Sequence, residues 1–262
     1  MKRFLIYLSL SCIVFAEFRN WDAHSAHLIP QKRWEMGLFQ PFRYGYSENL
    51  EYSVHPVWFF VVPNFIIKKS QNPMLGFTTA SRYKIFYPTP LLNMVAKKGI
   101  FGIISPEFQI PPLLGLSASW LMSKDMAGFN TTFTGGVDLG IAFGELDSRS
   151  SIDLPLLYHR LGVYYNTFGV HVGFDAQKNL LTKVVVFSDL DYRLLPGLNG
   201  DYSLEHKLLI SWEKSDRFRI LMGYKFVVGA YPYGFDTHVL PYVPMMEKWV
   251  PIIEFQWAGK KK

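Results

Sequence analysis

The chain is poor in cysteine, in charge and in long hydrophobic runs, and each shortage excludes a class of protein. One cysteine, Cys12, stands among 262 residues, so the chain is not a disulfide scaffold. Charged residues make up 18% of the sequence and aromatic residues 17%, a balance too apolar for an ordinary soluble exported domain. Yet no apolar run approaches the roughly twenty residues of a membrane-spanning helix without interruption by proline or polar residues.

The N-terminus has the pattern of a cleaved secretory signal peptide over residues 1–16. Lys2 and Arg3 form the basic region, the apolar core runs from Phe4 to Phe15, and Val14-Phe15-Ala16 is a small-residue cleavage site. A lipoprotein anchored through Cys12 is the alternative. Cleavage removes Lys2 and Arg3 from the 27 basic residues, which leaves 25 basic and 21 acidic residues and a formal charge of +4. No basic block that would bind nucleic acid remains.

The segment "RFRILMGYKFVVG", residues 217–229, shows the pattern that dominates the rest of the chain. Its even-numbered positions are all apolar, whereas the odd-numbered positions carry Arg217, Arg219, Lys225, two glycines and two aliphatic residues. A period of two predicts a β-strand with one apolar and one small-or-charged face. Thirteen residues at about 3.3 Å each give about 40 Å, longer than a typical globular strand.

Similar alternation recurs in residues 33–46, 136–144, 203–213 and 249–257, and tyrosine and tryptophan stand near the strand ends. An apolar outer face, a polar lumen and aromatic residues at the membrane interfaces are typical of membrane-spanning barrels. The chain therefore resembles the bacterial outer-membrane β-barrel class. The resemblance implies an all-β fold, a single antiparallel up-and-down transmembrane barrel, inserted in outer-membrane lipid by the barrel-insertion machinery. One departure is the end of the chain, where Trp257 is followed by "AGKKK" instead of ending it.

The predicted organisation is a signal peptide (1–16), a polar leader (17–32), the barrel (33–257) and a basic tail (258–262). At about twenty residues per strand and connection, the mature length predicts about twelve strands, and ten or fourteen would also fit. One predicted strand spans residues 103–109 and another spans 160–165. No cofactor and no nucleic-acid partner is expected.

The functional prediction is a narrow pore, a transport-related conduit or a structural membrane protein, and not an enzyme. Two alternatives stay open: a lipid- or lipopolysaccharide-modifying hydrolase that uses His55 or His171, and a soluble lipocalin-like binder. No serine stands at a specific spacing from either histidine, so no catalytic residue is assigned. No metal site is assigned either, because "HSAH" (His24 and His27) lacks a third ligand nearby and suggests a mobile leader.

Charged residues on the small-or-charged faces are the predicted lumen lining, either as a selectivity path or as salt bridges that fill the barrel. These residues are Glu35, Arg43, Asp138, Glu205, Lys207, Arg217, Arg219, Lys225 and Glu254.

Overall fold

The computed structural model describes residues 21–56, 58–98, 104–147, 150, 163–164, 167–195, 202–229 and 249–260. The signal-peptide prediction and the predicted cleavage site therefore lie outside the described residues. Of the strand predicted over 160–165, the structure describes only residues 163–164, which are helical, so the prediction is wrong there.

Twelve antiparallel strands close into one up-and-down barrel, which confirms the predicted fold class and strand number. Each strand pairs with its neighbours in sequence, and β1 pairs with β12 to close the barrel, with Arg33 opposite Lys260. The strands are β1 (Arg33–Gly37), β2 (Phe42–Ser47), β3 (Leu50–Val54), β4 (Asn64–Met74), β5 (Phe77–Phe86), β6 (Leu113–Met126), β7 (Phe129–Ala142), β8 (Phe168–Leu181), β9 (Val184–Leu194), β10 (Tyr202–Ser215), β11 (Phe218–Gly229) and β12 (Trp249–Lys260).

The two ends of the barrel differ in their connections. Two-residue turns at 48–49, 75–76, 127–128, 182–183 and 216–217 lie at the end that also holds the start of β1 and the end of β12. Two of these turns, Leu75-Gly76 and Ala127-Gly128, have positive φ at both positions, as tight hairpin turns require. The connections at the opposite end are 38–41, 55–63, 87–112, 143–167, 195–201 and 230–248. We call these two ends the turn end and the loop end.

Three sequence-based boundaries differ from the structure. The residues 33–46 form two strands, because Pro41 has no backbone N–H for the ladder and the chain reverses over 38–41. The prediction of a strand over 103–109 is wrong for residues 104–109, which form no strand apart from an isolated bridge between Ile104 and Ala96. At the other terminus, β12 continues beyond Trp257 and pairs with β1 up to Lys260.

The segment at residues 21–32, which we call the plug, lies inside the barrel over residues 21–29 and not outside it as a mobile leader, and residues 30–32 are exposed where the segment joins β1. Trp21, Ala26 and Ile29 are buried. The backbone N–H groups of these three residues donate to Glu35 Oε1 (3.0 Å), Ser123 Oγ (2.7 Å) and Glu51 Oε2 (3.0 Å), respectively.

Cationic side chains of the barrel wall donate hydrogen bonds to backbone carbonyls of the plug. Lys68 Nζ donates to the His27 carbonyl at 2.6 Å, and Arg219 Nη2 donates to the Trp21 carbonyl at 3.2 Å. The guanidinium groups of Arg33 and Arg219 lie 5.3 and 4.9 Å from the centre of the Trp21 ring system. The prediction of a mobile leader is therefore wrong, because side chains on strands β1, β3, β4, β6 and β11 contact the plug.

An apolar cluster lies at the loop end. Helix α1 (Thr89–Val95) contributes Leu91, Leu92 and Val95, and segments of other connections pack against them. The remaining buried members are Val62, Phe86, Ile104, Ile110, Leu113, Val163, Tyr164 and Leu195. In the described part of the chain, no helix combines the length and the hydropathy that a membrane span would need.

Candidate active site in the barrel lumen

The structure places most of the predicted lining charges in the barrel interior, where they form ion pairs. Arg43 bridges Glu35 (3.0 Å) and Glu51 (2.7 Å), and Arg33 binds Glu35 at 2.9 Å. Lys207 binds Asp189 at 2.6 Å and Lys225 binds Glu205 at 2.8 Å.

The remaining predicted charges have structural contacts, with one exception. Arg219 donates to Gln256 at 2.7 Å. Glu254 accepts from the backbone N–H groups of Phe39 and Gln40, so it holds the β1–β2 connection. Arg217 is exposed in the turn between β10 and β11, so its prediction as a lumen residue is wrong.

A chamber of about 320 Å³ lies among these strands, between the plug and the loop-end residues. Its floor includes His24 of the plug, and Phe39, His55 and Trp58 line it near the loop end. Five cationic side chains line it against three acidic ones: Arg82, Lys84, Arg193, Lys207 and Lys225 against Asp189, Asp191 and Glu205. The volume lies at the lower end of the range for small-molecule sites, and the charges favour an anion.

Three side chains at the chamber form a serine–histidine–aspartate chain. Ser119 Oγ lies 3.0 Å from His171 Nε2, and His171 Nδ1 lies 2.9 Å from Asp138 Oδ2. All three residues are at least nine-tenths buried. This is the order of contacts by which a base activates a hydroxyl nucleophile while a carboxylate orients the base.

The register of three neighbouring strands brings the chain of contacts together. Ser119 on β6 lies opposite Gly136 on β7, and Gly136 lies opposite His171 on β8. The imidazole can therefore reach the serine only by crossing over Gly136. A Cβ atom at Gly136 would stand 2.6 Å from two atoms of the His171 ring and 2.5 Å from the Ala118 carbonyl, so any side chain there would displace the ring.

Two arginines flank the serine–histidine–aspartate chain. Arg193 Nη1 lies 3.3 Å from Asp138 Oδ2 and supports the ionised carboxylate. On the other side, Arg82 on β5 is the direct cross-strand neighbour of Ser119. Its Nε atom is buried and has no hydrogen-bond partner among the described residues. A buried N–H group without an acceptor is costly, so a ligand anion beside Ser119 that accepted from Arg82 Nε would stabilise it.

His55, the other histidine considered for catalysis, has a structural environment. Its Nε2 atom lies 3.0 Å from the Phe39 carbonyl, and its Nδ1 atom lies 3.4 Å from the Trp58 backbone N–H. Burial lowers the pKa of His55 below its ordinary value, and the hydrogen bond to the Phe39 carbonyl opposes that shift. Because both ring nitrogens face backbone groups, His55 is not positioned as a general base for a serine.

A second serine–histidine contact lies on the opposite face of the sheet. Ser188 Oγ is 3.2 Å from His206 Nε2, and Tyr224 OH is 3.3 Å from His206 Nδ1. Ser188, His206 and Tyr224 stand at even-numbered positions, on the face of the exposed Ile210 and Met222. Among the described residues no carboxylate contacts His206, so this cluster lacks the group that would stabilise a protonated imidazole.

The sequence singled out His171 and Asp138 separately but assigned Ser119 no role. The three residues are separated by 19 and 33 positions, so no local motif connects them. A signal was present in the alternation, since Ser119, Asp138 and His171 all fall on the polar faces of their strands. Finding the cluster required the register between β6, β7 and β8, which alternation within one strand does not provide.

Comparison with protein-family models gives no match for this chain, and comparison with curated proteins gives none either. The barrel fold and the geometry of the chamber are therefore the basis for the functional argument.

Proposed function

We propose that this protein is an outer-membrane β-barrel hydrolase that cleaves a small anionic ester in the chamber inside its barrel. The observation that carries the catalytic part is the pair of contacts joining Ser119, His171 and Asp138, at 3.0 and 2.9 Å. The sequence alone favoured a barrel without enzymatic activity, and this geometry supports the hydrolase alternative instead.

The outer face of the barrel supports insertion in a membrane. Exposed apolar side chains alternate along β7 at Val137, Leu139 and Ile141. On the adjacent strands β10, β11 and β12, the side chains of Ile210, Met222 and Ile253 stand side by side, and each is more than half exposed. A closed barrel leaves no unpaired strand edge, which is the condition for strands to cross lipid.

The lengths of the connections between strands support one orientation of the barrel in the membrane, with the turn end toward the periplasm. Short turns on the side of both termini, with longer connections opposite, are typical of outer-membrane barrels, whose turns face the periplasm. In this orientation the plug lies toward the periplasm and the chamber faces the outer surface of the cell. The barrel should fractionate with outer membranes, resist carbonate extraction and migrate faster on gels before boiling. Recovery as a soluble periplasmic monomer would contradict this location and favour a lipocalin-like binder.

The proposed reaction is acyl transfer to Ser119. His171 Nε2 takes the hydroxyl proton as Ser119 Oγ attacks the ester carbonyl, and the proton then passes to the departing alcohol. Asp138 accepts the hydrogen bond from His171 Nδ1–H and stabilises the imidazolium. Water, activated by the same histidine, releases the acid and restores the Ser119 hydroxyl. The Arg82 guanidinium is the nearest cross-strand cation to stabilise the oxyanion or to bind an anionic group of the substrate.

The experiment is ester hydrolysis by the folded barrel in detergent micelles, with short-chain esters that carry a carboxylate or phosphate group. Ser119→Ala should remove the activity. Ser188→Ala is the matched control, since it alters the serine–histidine contact on the outer face and should leave turnover unchanged. Turnover that survives Ser119→Ala, or no turnover of any anionic ester by a barrel shown to be folded, would contradict the proposal.

A gated conduit is the second candidate, and the observation that favours it is the plug. Residues 21–32 fill part of a lumen that twelve strands enclose, and polar contacts that can be exchanged for water hold them there. In a planar bilayer the intact protein should then conduct in rare openings, and a variant without residues 21–32 should conduct steadily. His171→Ala would leave that conductance unchanged, which separates the conduit from the hydrolase. Equal, silent traces for both proteins would contradict the conduit.

A further inference from the structure

A second cluster joins the plug to the barrel wall and shares no residue with the serine–histidine–aspartate chain, and two of its members, His24 and Asp189, line the chamber. His24 of the plug, Asp175 on β8 and Asp189 on β9 each offer one ligand atom, and these three atoms lie within 4.8 Å of one another. The His24 ring also lies tilted against the Phe187 ring, with the ring centroids 4.8 Å apart, which places the imidazole beside β9.

The two carboxylates stand directly opposite each other in the register of β8 and β9. Both residues are buried, each with 8% of its surface exposed. Like charges at opposed positions of neighbouring strands repel each other, and burial makes the repulsion stronger. The arrangement therefore requires a nearby cation.

Lys207 supplies only part of that charge. Its Nζ atom contacts one carboxylate oxygen, Asp189 Oδ2, at 2.6 Å. Asp175 Oδ1 is buried and has no hydrogen-bond partner among the described residues. A buried carboxylate oxygen without a donor is costly, and its position beside a histidine points to a ligand that is a cation.

We propose that His24, Asp175 and Asp189 bind a divalent transition-metal ion that fastens the plug to the barrel wall. One imidazole nitrogen with two carboxylate oxygens is a donor set that Zn²⁺ and related ions accept, with water completing the coordination. Ligand distances near 2.1 Å would place the three donor atoms about 3.4 Å apart, so small side-chain rotations from the observed spacing suffice. Because one ligand comes from the plug and two from the wall, metal binding opposes release of the plug.

The first test is Zn²⁺ binding to the folded, chelator-treated full chain, measured by isothermal titration calorimetry. One ion should bind per barrel, and His24→Ala and Asp175→Asn should each weaken binding more than tenfold. His27→Ala is the matched control, since it removes an imidazole three positions away on the same segment, and it should bind as the unmodified protein does. Gel mobility before and after boiling shows that each variant is folded.

The second measurement is hydrogen exchange of the plug amides, including the Ala26 N–H that donates to Ser123. Zn²⁺ should slow exchange of these amides at least tenfold in the unmodified chain and leave exchange in His24→Ala unchanged. Absence of saturable binding, unchanged affinity in either His24→Ala or Asp175→Asn, or metal binding without slower plug exchange would each overturn the proposal.

Discussion

Replacing Met222 by arginine would place a cation where the proposed orientation puts lipid. Met222 is 57% exposed near the middle of the wall, and its neighbours across the two adjoining strands, Ile210 and Ile253, are 51% and 54% exposed. An arginine on the lipid face near the bilayer midplane costs about 2–4 kcal/mol, and near the interface about 0–1 kcal/mol. The larger cost lowers the folding equilibrium constant by about 30- to 700-fold.

Met74→Arg is the matched control, because the same substitution then falls at the last residue of β4, beside the turn at 75–76. The assay is reversible denaturant unfolding of both variants in lipid vesicles, followed by tryptophan fluorescence. Met222→Arg should lose about 2–4 kcal/mol of unfolding free energy and Met74→Arg at most about 1 kcal/mol. Equal losses for the two variants, or a Met222→Arg barrel as stable as the unmodified one, would refute the reasoning that this face contacts lipid.

Three further predictions follow from the interior. Glu35→Gln should cost about 3–5 kcal/mol in the same unfolding assay, because it takes the buried carboxylate away from Arg33 and leaves Arg43 with Glu51 alone, and a loss below about 1 kcal/mol would contradict this. Gly136→Ala should abolish ester hydrolysis, whereas Gly135→Ala, at the preceding position of β7 where an added Cβ meets no atom within 4 Å, should retain activity in the barrels that fold. Asp138→Asn should lower kcat by several orders of magnitude with little change in KM, and an unchanged kcat would remove Asp138 from the proposed mechanism.

The sequence predicted the barrel well because alternation is a local property. In residues 218–229, each apolar side chain at an even position faces outward, and the buried Arg219, Leu221 and Val227 stand at odd positions. Period-two patterning determines which face a residue occupies before any partner strand is known. The number of strands could be predicted from the length of the chain, at about twenty residues per strand and connection.

The plug could not be predicted by the same reasoning. Residues 21–32 have neither alternation nor a helical period, and their polar character suggested solvent exposure. Their position depends on partners far along the chain, such as Glu51 for the Ile29 N–H and Ser123 for the Ala26 N–H. Such contacts form only when the barrel closes around the segment, so they leave no local signal in the sequence.

The catalytic geometry could be predicted from the sequence in part, less well than the barrel and better than the plug. The polar faces of β6, β7 and β8 limited the candidates, but the register decides which residues meet. Shifting β8 by two residues against β7 would keep every side chain on its face and yet move His171 away from Gly136. The role of Gly136 is also visible only in three dimensions, since it depends on a ring that crosses from the next strand.

Covalent labelling of Ser119 tests the central claim of a lumenal active site most directly. A small fluorophosphonate reacts with a serine whose hydroxyl is activated by a neighbouring base, and the modified residue is identified by mass spectrometry of the folded barrel. We expect one adduct, on Ser119, which is lost in His171→Ala and kept in the matched His206→Ala. Absence of an adduct on Ser119, or an adduct that persists in His171→Ala, would contradict the account.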